Sequence, residues 1–281
     1  MAVDLLPDLP SSPKLRLHIH DLTHEATSVF LSLIDCKSLI PDAVKHIIRH
    51  LYTPYGRASI PPVRSVTIIL RGMGGVAYTT GLELDDLHKE IHISLAYLAN
   101  FCNEPVRFEH ETLGVITHEM VHCFQHNGRG AAPGGLIEGI ADYVRLKAGL
   151  APPHWKKDKG RMGEKWDAGY ERTAWFLEWL EEKEGVGTVS KINQTLATTK
   201  YDNDTFWKSL FGQGVEALWE SYKEELAGDS VTNLDEDSVQ GGSDTGGVTG
   251  DNSEGSEPEL IDLSPADKEE AQAALRKQVR G

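Results

Sequence analysis

The sequence predicts an α+β fold: a small N-terminal mixed sheet with helices, then a mainly helical half, then an acidic tail without structure. Three observations predict it. Lys14-Leu-Arg-Leu-His-Ile-His20 and Glu90-Ile-His-Ile-Ser-Leu95 alternate apolar and polar residues, the period of a half-buried strand. From about residue 109 to 226 the apolar residues recur at helical spacing instead. From Gly228 to Asp262 there are ten acidic residues and no Lys or Arg. Such a segment cannot bury enough apolar surface to offset its ordering entropy.

In chain order, residues 1–13 are expected to be disordered. Leu15, Leu17 and Ile19 form the inner face of the first strand, and Arg16, His18 and His20 face water. The two histidines are therefore read as surface residues. Helices are expected over 26–36 and about 42–51, and a β-rich run over 63–70 ends in the turn Arg71-Gly-Met-Gly-Gly75. The strand signal at 91–95 is read as an edge that pairs with an extended substrate. Further helices are expected over 109–126, 136–148, 168–183, 189–198 and 215–226. A disordered acidic linker, 228–263, then leads to Ser264-Pro265-Ala-Asp267, a capping serine with proline at the first helical position, which opens a short helix over 264–281.

A chain of 281 residues buries a full core, and its net charge of −15 is concentrated in the tail. No basic face is available for nucleic acid, and no apolar run reaches the roughly 18–20 residues of a membrane span. Three widely spaced cysteines, Cys36, Cys102 and Cys123, fit a reducing compartment better than a disulfide framework. Prolines interrupt the N-terminus before any signal-length apolar run, so a cytoplasmic or nuclear location is expected.

The chemistry is concentrated in His118-Glu119-Met120-Val121-His122. Residues four apart share a helix face one turn apart, so two imidazoles can converge on one tetrahedral ion. Glu119 is rotated by about 100° from His118. It flanks the ion as the catalytic base that takes a proton from water and hands it to a leaving amine. A catalytic zinc needs a third ligand and one open position. His126 lies two helical turns from His118, too far along a straight helix, and the position six past His122 is Gly128. Glu138 is better placed: a turn rich in Gly and Pro separates it from His122, and a second helix folding back would present it. Asp142, one turn further, can accept the second ring N–H of a ligand histidine. Tyr170, Tyr143 and His154 are candidate donors to an oxyanion, with Tyr170 preferred.

His118-Glu-Met-Val-His122, the run Gly134-Gly-Leu-Ile-Glu-Gly-Ile-Ala-Asp-Tyr-Val-Arg-Leu-Lys-Ala-Gly149, His154-Trp155, Trp166-Asp-Ala-Gly-Tyr170 and Leu218-Trp-Glu-Ser-Tyr222 resemble the plant basic secretory protein family of peptidases. The resemblance spans about residues 14–227. It implies a gluzincin-like zinc metallopeptidase domain over that span, with Zn2+ on His118, His122 and Glu138 and with peptides or proteins as substrates. Unlike the plant members, the chain is acidic and shows no secretion signal; secretion is the alternative that the resemblance supplies. Two rival functions are a non-catalytic zinc-containing interaction module and a zinc hydrolase acting on a non-peptide amide.

Two further segments stand out. Residues 152–166 carry five cations, Trp155 and Trp166. They are read either as a substrate entrance that favours acidic peptides or as a loop anchored by its two indoles. Leu260, Ile261 and Leu263 form an apolar island after acidic residues, which resembles a motif that adds a strand to a SUMO-like partner.

Overall fold

The computed structural model describes residues 13–54, 59–158 and 163–236. The expected N-terminal segment up to Ser12, the Leu260–Leu263 island and the expected helix from Ser264 lie outside them. Four strands, β1 (Lys14–Ile19), β2 (Ser65–Arg71), β3 (Ala77–Leu82) and β4 (Asp85–Ser94), form one sheet in the order β1-β2-β4-β3. β1, β2 and β4 are parallel, and β3 returns antiparallel to β4. The sheet is mixed, as expected. β1 follows its alternation, with Lys14, Arg16 and His18 exposed. Ser65 through Leu70 of β2 are all buried, as befits an inner strand.

One expectation is corrected here. Residues 91–94 belong to β4, which lies between β2 and β3 with both edges paired, and Leu95 opens a short helix. The sheet edge on this side is β3. No strand was expected at Ala77–Leu82: Tyr78-Thr79-Thr80 favours one by composition, but Gly81 and the glycines at 72, 74 and 75 interrupt the pattern around it.

The helices are α1 (Glu25–Leu33), α2 (Cys36–Ile47), α3 (Leu95–Ala99), α4 (Pro105–Phe124), α5 (Gly134–Lys147), α6 (Tyr170–Glu184), α7 (Thr188–Thr198), α8 (Asn203–Phe211) and α9 (Val215–Glu236). α3 and α8 were not expected, each being a short segment capped by its own Ser94 or Asp202 side chain. α9 runs past Ala227 to Glu236, because an established helix propagates readily into neighbouring residues. None of the described helices is long and apolar enough to cross a membrane. All three cysteines are free thiols.

α4 starts with Pro105 at its first turn, where the missing N–H costs nothing, and packs against β3 and β4. From Glu111 to Phe124 every residue except Leu113 and His122 is buried. α5 lies along α4, and α6 along α5. A buried ion pair ties the first two together: Arg145 Nη2 is 3.0 Å from Glu111 Oε1, and both side chains are nearly inaccessible. The Tyr97 hydroxyl donates to the same oxygen at 2.7 Å, and Arg145 Nε donates to the Leu150 carbonyl at 2.9 Å. Burial pushes the Glu111 carboxyl up, but Arg145 and Tyr97 outweigh it and hold it below the usual range.

The α5–α6 contact depends on Gly139. A Cβ there would lie 2.3 Å from Thr173 Cγ2 and 2.5 Å from Thr173 Cβ. Thr173 cannot turn away, since its fully buried hydroxyl donates to the Trp166 carbonyl at 2.8 Å and accepts from Gly169 N–H at 3.0 Å. Gly139→Ala gains about 0.5–1 kcal/mol of helix propensity against about 1–3 kcal/mol of overpacking. The variant is therefore expected to unfold at lower urea concentration with an unchanged slope. An equal or higher midpoint would show that the two helices are not in this contact.

Candidate metal centre

α4 carries His118, Glu119 and His122, and α5 carries Glu138 and Asp142. α4 ends at Phe124; Gln125 turns extended, and its side-chain N–H donates to the Ile137 carbonyl at 3.3 Å, tying the end of one helix to the start of the next. α5 opens at Gly134, two residues earlier than expected, so Glu138 sits in its second turn. Glu111–Arg145, His118–Asp142 and His122–Glu138 step in opposite directions along the two helices, which therefore run antiparallel.

The two helices bring three donor atoms together. His118 Nε2 is 3.1 Å from Glu138 Oε2 and 3.2 Å from His122 Nε2, and His122 Nε2 is 3.6 Å from Glu138 Oε2. An ion bound tetrahedrally at 2.0–2.1 Å separates its ligands by about 3.3–3.4 Å. The donor set therefore fits a tetrahedral metal: two imidazoles and a carboxylate, with spacing close to the edges of the coordination polyhedron. Among the described residues this is the group of three or more His, Cys, Asp or Glu side chains that could hold an ion.

Asp142, 2% exposed, sets the orientation of His118. Its Oδ1 lies 2.5 Å from His118 Nδ1. An Nδ1–H donated there leaves the Nε2 lone pair directed at the centre. Burial opposes a charged imidazole at His118, but Asp142 and then Glu138 outweigh it and hold its pKa well above the ordinary value. Burial likewise pushes Glu138 up, yet the two histidines keep it well below the usual carboxylate range. The pocket favours positive charge next to these carboxylates.

Glu119 does not join the donor set. Its Oε2 accepts from the Thr79 hydroxyl at 2.7 Å, and that hydroxyl is also 2.9 Å from the Glu119 main-chain oxygen. Burial raises the Glu119 pKa, and the histidine charges and the Thr79 hydrogen bond offset part of this. Thr79 was not among the residues singled out in the sequence. It lies 40 positions from Glu119, and no local spacing connects a strand residue to a helix residue at that separation.

Of the three candidate oxyanion donors, the structure brings Tyr170 to the centre and leaves the others away from it. The Tyr170 ring lies nearly parallel to His118, with centroids 6.5 Å apart. It follows Gly169 at φ 84° and itself adopts φ 53°, a left-handed conformation that costs a tyrosine about 1–2 kcal/mol. The Thr173 hydrogen bonds described above hold that turn. Crowding by protein atoms, then the carboxylates of Glu138, Asp142 and Glu119, push the Tyr170 pKa up, so it remains a donor through neutral pH. Tyr143 is buried edge-on against His50, and His154 lies close enough to Glu111 to lower its pKa. His126 points elsewhere, with Nε2 3.0 Å from the Ser59 carbonyl.

Of the segment 152–166, residues 159–162 lie outside the described residues, and in the rest both indoles pack against other side chains. Arg145 sits 5.3 Å over the Trp155 ring, and Trp166 is buried 5.1 Å from Trp207.

Comparison with known proteins yields one match. A family model described as peptidase of plants and bacteria matches residues 12–222, close to the span of the sequence resemblance. No curated protein and no solved structure matches the chain. With three quarters of its length covered, the chain belongs to the basic secretory protein family, the peptidases of plants and bacteria.

Proposed function

We propose that this chain hydrolyses peptide bonds with a zinc ion held by His118, His122 and Glu138. The observation that supports this most directly is the 3.1–3.6 Å spacing of their three donor atoms. Two nitrogens and one carboxylate oxygen, with a fourth position left open, form the donor set of a catalytic zinc. Zinc, when bound, supplies a Lewis acid and makes water acidic enough to lose a proton near neutral pH.

The chain's own residues do the rest. Glu119 is buried beside the donor set and raised in pKa, which suits a carboxylate that accepts a proton from water and returns it to the leaving amine. Tyr170 stands over His118 with its proton retained and donates to the oxyanion that develops on the substrate carbonyl. Asp142 keeps His118 in the tautomer that presents Nε2. β3, the sheet edge beside Glu119, has one side without a strand partner among the described residues. An extended peptide can pair along it, so the aligning role expected of 91–95 passes to Ala77–Leu82.

Three outcomes are expected. Glu119→Gln retains zinc and loses about 10²–10⁴-fold in kcat on a peptide library; wild-type turnover in that variant, at full zinc content, rules out Glu119 as the base. Asp142→Asn weakens zinc binding by about 10–100-fold in competition with a chelator, and an unchanged affinity would show that His118 needs no such support. Tyr170→Phe lowers kcat by about 10²–10³-fold with zinc affinity unaltered. A change confined to KM would instead assign Tyr170 to substrate binding.

A further inference from the structure

Glu119 is 6% exposed, and its ionised form gives up most of its solvation. A buried carboxylate keeps its charge and its aim only if protein donors replace water. His118 Nδ1 is turned to Asp142, and the Nε2 atoms of both histidines face Glu138. Among the described residues, Thr79 is the side chain that hydrogen-bonds the Glu119 carboxylate.

Thr79 is 6% exposed, on the face of β3 that meets α4. Its hydroxyl has one proton and two acceptors within reach, Glu119 Oε2 at 2.7 Å and the Glu119 main-chain oxygen at 2.9 Å. The charged acceptor is the shorter and stronger one. With Oε2 claimed, Oε1 is the oxygen left for the proton that water gives up. Both hydroxyl contacts from the strand reach the helix residue that carries the base.

We propose that Thr79 is a positioning residue for Glu119: it fixes the rotamer of the general base and ties it to the edge strand along which substrate lies. This rests on the reading of Glu119 as base. The Thr79 hydroxyl is spent on Glu119 and lies outside the donor set of His118, His122 and Glu138. Its place in β3 puts the base and the substrate's backbone on one rigid frame, held by the β3–β4 ladder from Ala77–Ile93 to Gly81–Lys89. A carboxylate without that hydrogen bond is no longer held in line with the attacking water.

The test uses the full chain loaded with zinc and one fluorescence-quenched peptide chosen from a mixed library. Thr79→Val preserves shape and removes the hydroxyl; Thr79→Ser preserves the hydroxyl. Losing a hydrogen bond to a charged group predicts a kcat about 10–100-fold lower in Thr79→Val, with KM, zinc affinity and thermal midpoint close to wild type. Thr79→Ser recovers most of that loss. Combined with Glu119→Gln, Thr79→Val adds no further loss, because no base remains to be aimed. Wild-type kcat in Thr79→Val, or a loss matched by weakened zinc binding or not recovered by serine, overturns the proposal and leaves the peptidase reading intact. Wild-type turnover that Glu119→Gln does not reduce overturns the peptidase mechanism, and with it the role of Thr79.

Discussion

The structure depends on the antiparallel registration of α4 against α5. Three contacts fix it: Glu111 with Arg145, His118 with Asp142 and His122 with Glu138. The first lies about two turns from the donor set, and a shift of one helix by a single turn, about 5.4 Å, would separate all three pairs at once. Gly114 keeps the registration possible, since a Cβ there would come within 2.6 Å of the Arg145 guanidinium. Removing either partner of a buried ion pair leaves an uncompensated charge at a cost of about 3–5 kcal/mol, so Glu111 and Arg145 specify one arrangement and penalise others.

That registration concentrates charge where water is scarce. Glu119, Glu138 and Asp142 lie around two imidazoles between the helices, and each is largely removed from solvent. Low-dielectric surroundings make unpaired charge expensive and paired charge strong. The carboxylates therefore stabilise positive charge on His118, and the same field suits a divalent cation on the two Nε2 atoms. Asp142 contributes orientation and Glu138 a donor atom, although the two differ by a single helical turn.

The second contribution comes from the sheet. β3 is the edge strand at the end of the sheet opposite β1, turned antiparallel to its neighbour, and it supplies Thr79 to a carboxylate carried by a helix. The site thus has two sides, α5 with Glu138 and Asp142 against the histidines and β3 with Thr79 against Glu119, with α4 between them. α6 adds a third element through the strained turn at Gly169 and Tyr170, held by the buried Thr173.

The sequence by itself determined the pieces governed by local periodicity. The His118–His122 spacing, the helices on either side, the alternation of β1 and the carboxylate pair Glu138 and Asp142 all follow from 3.6- and 2-residue repeats, which depend on backbone geometry alone. Its family signature was legible too, because the run Gly134 to Gly149 is long enough to be specific. The tertiary structure decided which strand is the edge, which of Tyr170, Tyr143 and His154 stands over the imidazoles, that Arg145 holds Glu111, and that Thr79 meets Glu119. The three side-chain contacts among these join residues 34 to 52 positions apart. Chain topology and packing set such contacts, and no repeat within a single element encodes them.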